Sequence, residues 1–239
     1  MAEADWTLVD GSLAATSVAR GVSSGFTPPN GGGSYVAGFN TLVATTGFTG
    51  FFVNRPNFAP LVNAGGSASG GSIRFAVQKV TAAVTGFTPM AFICLRAGSA
   101  VAPNPAGTDT GYLMGLENSN PYRIVFVKAA PGNGLQTAAV RRSSSASFTA
   151  GQWHHLRMDA IVNPNGDVIL RFFSNNLVAN PVTAPVWTAI AGMTDFTDDA
   201  FGVNSGSAPL SGGFAGWGMW ANTNGRFGLL DHVEVFRQT

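Results

Sequence analysis

Few residues in this sequence have the types and spacing that catalysis needs. Glycoside hydrolysis requires two carboxylates beside one bond, and on a β-strand such residues stand two positions apart, because alternate side chains share a face. Glutamate occurs only at Glu3, Glu117 and Glu234. Asp231 and Glu234 are three apart on a predicted strand, which places them on opposite faces. The sequence therefore predicts no glycosidase pair, and we expect the protein not to be an enzyme.

One acidic cluster has the residue types of a metal site. Asp195, Asp198 and Asp199 lie in the predicted loop 194–211, and Ca²⁺ is bound by carboxylate, carbonyl and water oxygens. The alternative interpretation is a solvated turn. His154 and His155 are adjacent, so on a strand they point to opposite faces and cannot hold one ion together. We expect His155 to face solvent or a neighbouring subunit, and we predict no cofactor.

Two tryptophans are the candidates for binding sugars. Trp217 and Trp220 lie in the aromatic run 213–221, and an exposed indole offers a flat apolar surface with one polar group. They stand three apart, so an extended strand exposes only one of them on a given face. The alternative is that at least one of them belongs to the core.

The charge content argues against several classes of partner. Only 10% of the 239 residues are charged, and the formal net charge is +1, which gives no electrostatic footprint for nucleic acid or a membrane surface. Arginine outnumbers lysine, and arginine suits partly desolvated interfaces. We therefore expect a protein packed against other subunits, with Arg55, Arg141 and Arg142 as candidate interface residues.

The pattern of hydrophobic residues predicts an all-β protein. Short apolar runs alternate with turns rich in glycine, proline, asparagine and serine. In the run 153–162, Leu156 and its alternate neighbours share one face, whereas His155, Arg157 and Asp159 take the other. The turn 163–166 ends in Asn-Gly before a second apolar run, which is a strong hairpin signal. No change in composition marks a linker, so residues 1–239 are predicted to form a single domain.

Three segments resemble a known fold family. The run Gln152–Asp159, the hairpin into Val168–Phe173 and the closing run Leu230–Phe236 are similar to strands of the concanavalin A-like, laminin-G-like jelly roll. The resemblance implies a two-sheet antiparallel jelly-roll sandwich. Softer likenesses at 6–12, 26–33 and 121–128 are to virion proteins of tailed bacteriophages built on this fold. The calcium-binding acids of laminin-G-like domains and the catalytic carboxylates of the glucanase relatives have no counterpart here.

The resemblance leads to three functional hypotheses. The first is a non-enzymatic virion structural protein, a capsid decoration or tail component that contacts other virion proteins and copies of itself. The absence of a visible signal peptide at the N-terminus fits synthesis in a host cytoplasm and a location in the virion. The second is a carbohydrate-binding module that attaches to host glycans. The third is a hydrolase whose acids are dispersed along the chain.

Overall fold

The computed structural model describes residues 7–10, 16–19, 29–32, 37–41, 49–54, 70–79, 90–96, 110–117, 122–129, 140–149, 151–199, 209, 214–221 and 227–238. The strands are β1 (Thr7–Asp10), β2 (Thr16–Ala19), β3 (Ala37–Thr41), β4 (Thr49–Asn54), β5 (Gly70–Lys79), β6 (Met90–Arg96), β7 (Thr110–Leu116), β8 (Ile124–Ala129), β9 (Val140–Ser143), β10 (Trp153–Val162), β11 (Val168–Asn175), β12 (Trp187–Ala189), β13 (Phe196–Asp198), β14 (Phe214–Ala221) and β15 (Phe227–Gln238). No helix long and apolar enough to cross a membrane occurs in these residues.

The strands form two antiparallel sheets. Sheet 1 has the order β1-β4-β14-β6-β7-β8-β9. Sheet 2 has the order β12-β11-β10-β5-β15-β3-β2, and β13 pairs with the same strand, β11, that pairs with β12. The last strand lies between strands from the first third of the chain, so sheet 2 joins distant parts of the sequence.

The alternation predicted for β10 is confirmed, and it explains how the sheets pack. Leu156, Met158, Ala160 and Val162 all point into the core, as a strand with one buried face requires. The hairpin to β11 is also confirmed, with Val162 paired to Val168. Gly166 ends the turn at a φ of 92°, a conformation that glycine adopts without steric cost.

Side chains from both sheets meet in one core. Phe126 of sheet 1 lies with its ring centroid 4.9 Å from that of Phe172 and 5.4 Å from that of Phe196, both from sheet 2. Burying one such side chain contributes about 1.5–3 kcal/mol to folding. The other large members among the described residues are Ile73, Phe75, Tyr112, Met114, Leu116, Ile124, Leu156, Met158, Leu170, Ile190, Met193 and Leu230.

Several strand boundaries differ from those that the sequence predicts. β13 lies inside the predicted loop 194–211, and β2 lies at Thr16–Ala19, where the sequence pattern predicts no strand. Both have at most four residues, which is too short for alternation to stand out. The apolar runs 42–53 and 136–141 each predict a strand. The strands that form there are shorter or shifted, since β4 spans Thr49–Asn54 and β9 spans Val140–Ser143.

Candidate ligand-binding face

Sheet 2 has a second side, turned away from the core, and β10 shows what lies there. His155, Arg157 and Asp159 alternate with the core residues Leu156 and Met158. Residues that are paired across neighbouring strands stand side by side on the same face. Each of the three polar residues of β10 therefore belongs to a row of side chains that crosses the sheet.

The strand register gives these rows. Each row is listed from β12 or β11 toward β15. The first row contains Trp187, Asn175, His155, Ala76 and Asp231. The second contains Ala189, Phe173, Arg157, Arg74 and Glu234, and the third contains Arg171, Asp159, Ser72 and Phe236. We call the three rows together the outer face, and we name each row by its residue on β10.

Arg157 occupies the middle of the outer face in a fixed position. Its Nε and Nη2 donate to Oδ1 and Oδ2 of Asp159 at 2.6 and 2.7 Å, a bidentate geometry that orients the guanidinium. The guanidinium carbon lies 5.4 Å from the ring centroid of Phe173 and 5.9 Å from that of Trp187. The Arg157 side chain is 29% exposed, whereas that of Asp159 is 6% exposed, so the arginine covers its partner.

Arg74 stands directly opposite Arg157 on the neighbouring strand. Two like charges in this position repel one another. Arg74 forms an ion pair with Glu234, and its guanidinium carbon lies 4.6 Å from the ring centroid of Phe236. Each arginine of the pair thus has its own carboxylate and its own aromatic contact.

A β-bulge in β15 brings Glu234 to this face. Asp231 pairs with Ala76 and Glu234 with Arg74, and those two partners share a face because they are two apart. His232 is the extra residue, with a φ of 49°, and one extra residue in a strand shifts the alternation that follows it. The prediction that Asp231 and Glu234 face opposite sides is therefore wrong, because period-two reasoning assumes an unbroken strand.

The two carboxylates of the bulge have different surroundings. Oε2 of Glu234 lies 3.0 Å from Nε2 of His232 as well as contacting Arg74, and the Glu234 side chain is 37% exposed. Asp231 is 6% exposed, and burial raises the pKa of its carboxyl group. A Cβ added at Gly32 would lie 2.8 Å from Asp231 Oδ2, so the chain at Gly32 covers this acid closely.

His155 lies on the predicted side of β10, but the prediction that it faces solvent or a neighbouring subunit is wrong. It is 0% exposed. The segments 29–32 and 176–186 are hydrogen-bonded to each other over the His155 row. The backbone N–H of Val182 donates to the carbonyl of Asn30 at 2.9 Å, and the Asn30 side chain donates to the carbonyl of Leu177 at 3.0 Å. These segments are far from β10 in sequence.

Hydrogen bonds fix the tautomer of His155. The Asn175 side-chain oxygen accepts from the backbone N–H of Val186, and its nitrogen donates to the carbonyl of Asn180. The same nitrogen lies 3.1 Å from His155 Nδ1, so Nδ1 accepts and Nε2 carries the proton. Burial, with a smaller contribution from His232 and Arg74, lowers the pKa of His155 to about 3, and the ring is neutral near pH 7.

The structure separates the three acids of the predicted metal site. Asp198 is 0% exposed, and its Oδ2 lies 2.6 Å from Nζ of Lys128 and accepts from the Tyr112 hydroxyl at 2.5 Å. Asp195 is exposed and pairs with Arg171 at 3.1 Å, while Asp199 is half-buried. Among the residues described, no three histidine, cysteine or acidic side chains form a group that could hold a metal ion.

The predicted interface and sugar-binding residues have varied positions. Arg142 donates to the backbone carbonyls of Thr194 and Asp195, so it joins β9 to the segment before β13, and Arg141 is half-buried beside it. Arg55 lies outside the described residues.

The two candidate sugar-binding tryptophans lie on β14. In the backbone register, Trp217 pairs with Val53 and Ala91, and Trp220 pairs with Gly50. The side chains of both tryptophans lie outside what the structure describes.

The sequence indicates which side of β10 faces away from the core, but it does not indicate that this side binds a ligand. His155, Arg157 and Asp159 are polar residues at alternate positions of one strand, which marks its non-core side. Their partners Arg74, Phe173, Glu234 and Phe236 come from three other strands. Only the register, which a single sequence does not specify, assembles them.

Comparison with known proteins shows the fold. No family model and no curated protein sequence matches the chain. A seed lectin of Lotus tetragonolobus superposes with a TM-score of 0.51 at 5% identity, over 100% of this chain and 95% of the lectin. A Bacillus subtilis protein of unknown function with a galectin-like fold gives a TM-score of 0.50 at 10% identity, over 98% of this chain and 89% of that one. The predicted fold class is confirmed: the chain is similar to lectin-like jelly-roll sandwiches of the concanavalin A type.

Proposed function

We propose that the protein binds carbohydrate through the outer face of sheet 2. The observation that supports this is the composition of the Arg157 and Asp159 rows, where guanidinium–carboxylate pairs alternate with aromatic rings on a half-exposed sheet surface. Sugars present hydroxyl groups that both donate and accept hydrogen bonds, and they present C–H faces that pack on rings. The rows offer partners for both.

The rigidity of the face favours binding. Arg157 is held by two hydrogen bonds to Asp159 and by two neighbouring rings, and Arg74 is held by Glu234 and Phe236. Side chains fixed before the ligand arrives lose little conformational entropy on binding. Sites built on strands also keep their geometry better than sites on loops.

Binding rather than catalysis is the role we propose for this face. Asp231 and Glu234 share the face, but Asp231 is buried beneath Gly32 and Glu234 is engaged by Arg74 and His232. A glycosidase needs an acid that reaches the glycosidic oxygen and a second carboxylate open to water or sugar. We expect no release of reducing ends from polysaccharides that the protein binds. Steady turnover that is lost in Glu234→Gln would contradict this.

A glycan array followed by calorimetry on the best ligand tests the proposal. We expect Arg157→Ala to weaken binding at least about tenfold, because a charge-assisted contact of this kind is worth about 1.5–3 kcal/mol. Arg123→Ala is the matched control, since Arg123 is exposed and directly precedes β8 of sheet 1. If Trp217→Ala or Trp220→Ala abolished binding while Arg157→Ala bound normally, the site would lie on β14. That result would refute the proposal that the outer face binds the ligand.

A role in a virion remains a second proposal, supported by composition. Charged residues make up 10% of the chain, and Val178 and Val186, both in the segment 176–186, are 95% and 58% exposed. Apolar surface of this kind favours contact with neighbouring proteins. Analytical ultracentrifugation tests for self-association, and co-sedimentation with purified virions tests for attachment. A protein that stays monomeric at millimolar concentration and does not bind particles would contradict it.

A further inference from the structure

We infer that the ligand of the outer face is a neutral glycan, and that sulfated, phosphorylated or uronic acid-containing glycans are discriminated against. This inference rests on the proposed function. Its basis is the pairing of charges on the face. Each described arginine of the three rows is already bound to a carboxylate: Arg74 to Glu234, Arg157 to Asp159 and Arg171 to Asp195.

The described charges of the face leave no positive excess. The three arginines of the rows meet three carboxylates, one of which, Asp195, lies beside the rows and pairs with Arg171. Asp231 is a further acid in the His155 row. His155 adds no charge near neutral pH, since the pKa of its ring is lowered to about 3. An anionic sugar would have to lie beside these carboxylates or displace one of them from its arginine, and both cost electrostatic free energy.

The same pairs suit a ligand that both donates and accepts. Arg157 uses Nε and one hydrogen of Nη2 on Asp159, so its remaining N–H groups point away from that carboxylate. Glu234 contacts Arg74 and His232 through Oε2, and its other oxygen is an acceptor beside Arg74. Neighbouring hydroxyls of a neutral sugar can satisfy a donor and an acceptor together, whereas a sulfate or carboxylate group only accepts.

A direct binding assay with neutral and acidic oligosaccharides of matched length tests this inference. We expect measurable affinity for neutral chains, no gain from added sulfate or uronate groups, and a change in Kd of less than about threefold between low and high salt, because neutral ligands are barely screened. Binding confined to acidic chains, lost steeply with salt, would overturn the inference but leave glycan binding intact. No binding to any glycan would overturn the proposed function and this inference with it.

A charge variant tests the mechanism of discrimination. Glu234→Gln keeps the shape of the side chain but leaves the charge of Arg74 uncompensated, so we expect this variant to gain at least about tenfold in affinity for a uronate oligosaccharide. Asp167→Asn is the matched control, because it removes the same charge in the turn between β10 and β11, away from the rows. A gain in Glu234→Gln no larger than in the control would refute the mechanism.

Asp195→Asn provides a second variant in case Glu234→Gln perturbs folding. Its ion pair with Arg171 is largely exposed, with side chains 57% and 45% accessible, so its loss leaves the fold unstrained. We expect a smaller gain in affinity for the same uronate ligand, because Arg171 lies at the edge of the Asp159 row. A salt titration of the gained affinity checks its origin, since it must disappear at high ionic strength.

Discussion

Cation–carboxylate pairs occur in two regions of the molecule that differ in access to water. Between the sheets, Lys128 of β8 meets Asp198 of β13, and both side chains are 0% exposed. On the outer face, Arg74 and Glu234 are 21% and 37% exposed. The interior pair links sheet 1 to sheet 2 and lies beyond the reach of any ligand, whereas the outer pair remains available to one.

Burial changes what such a pair contributes. Removing two charges from water costs several kcal/mol per ion, which only close contact and further hydrogen bonds offset. Desolvation lowers the pKa of Lys128 even though Asp198 opposes the shift, and the Tyr112 hydroxyl supplies the further hydrogen bond to Asp198. The interior group therefore connects the two sheets at a cost in desolvation. The outer pairs contribute little to stability, and they are the ones that we propose for recognition.

The largest expected effect comes from breaking the interior pair. Asp198→Asn removes the carboxylate that contacts the buried Lys128 ammonium, and we expect the free energy of unfolding to fall by about 3–5 kcal/mol. Urea denaturation at neutral pH measures it. The double variant Lys128→Met with Asp198→Leu should recover most of the loss, because it leaves no isolated charge. A loss below about 1 kcal/mol in the single variant would mean that water reaches the pair.

Acid should destabilise the protein through two neighbouring histidines on opposite sides of β10. Burial lowers the pKa of His154 to about 4 and that of His155 to about 3. Below pH 6.5 the unfolded chain takes up protons that the folded chain does not, so the free energy of unfolding falls as the pH falls toward 4. We expect a loss of at most about 2 kcal/mol per histidine between pH 6.5 and 4.5.

Denaturation curves at three pH values test this expectation. His155→Gln and His154→Gln should each reduce the dependence of stability on pH, because each removes one group that only the unfolded state protonates. Equal pH dependence in the parent protein and both variants would show that these imidazoles reach water in the folded state.

Glu234, the carboxylate of the ion pair on the outer face, should contribute much less to stability than Asp198. Glu234→Gln makes the same chemical change as Asp198→Asn, but at a half-exposed pair. We expect a loss of no more than about 1 kcal/mol, since exposed ion pairs contribute 0–1 kcal/mol. A loss as large as that of Asp198→Asn would mean that the outer pair also holds the sheet together.

The smallest effect is expected at the edge of the outer face. Arg171→Ala removes an ion pair whose two side chains are about half exposed, and the unfolding free energy should change by no more than about 0.5 kcal/mol. Thermal unfolding of Arg171→Ala, with Arg123→Ala as an exposed control, measures it. A clear loss in Arg171→Ala alone would indicate that the segment before β13 depends on this contact.

The sequence predicts the strands better than their assembly. Alternation in β10 and the Asn-Gly turn are local signals, and the structure confirms both. The burial of His155 depends on segments 29–32 and 176–186, which no local pattern connects to β10. The sequence predicts Asp198 to lie in an acidic loop, yet it lies inside the sandwich, because β13 pairs with β11 and sets Asp198 beside the core residue Val168. There it meets Lys128, which stands 70 positions earlier in the sequence.

The bulge at His232 would let β15 lose one residue without exchanging its two faces. Losing one residue from a strand normally exchanges its two faces from that point onward. Here Val233 would become the single partner of Phe75, between the existing pairs at Ala76 and Arg74. Removal of the His232 codon would therefore leave Asp231, Glu234 and Phe236 on their present side. Descendants of this gene could gain or lose that codon and keep the same surface, with the imidazole as the only group exchanged.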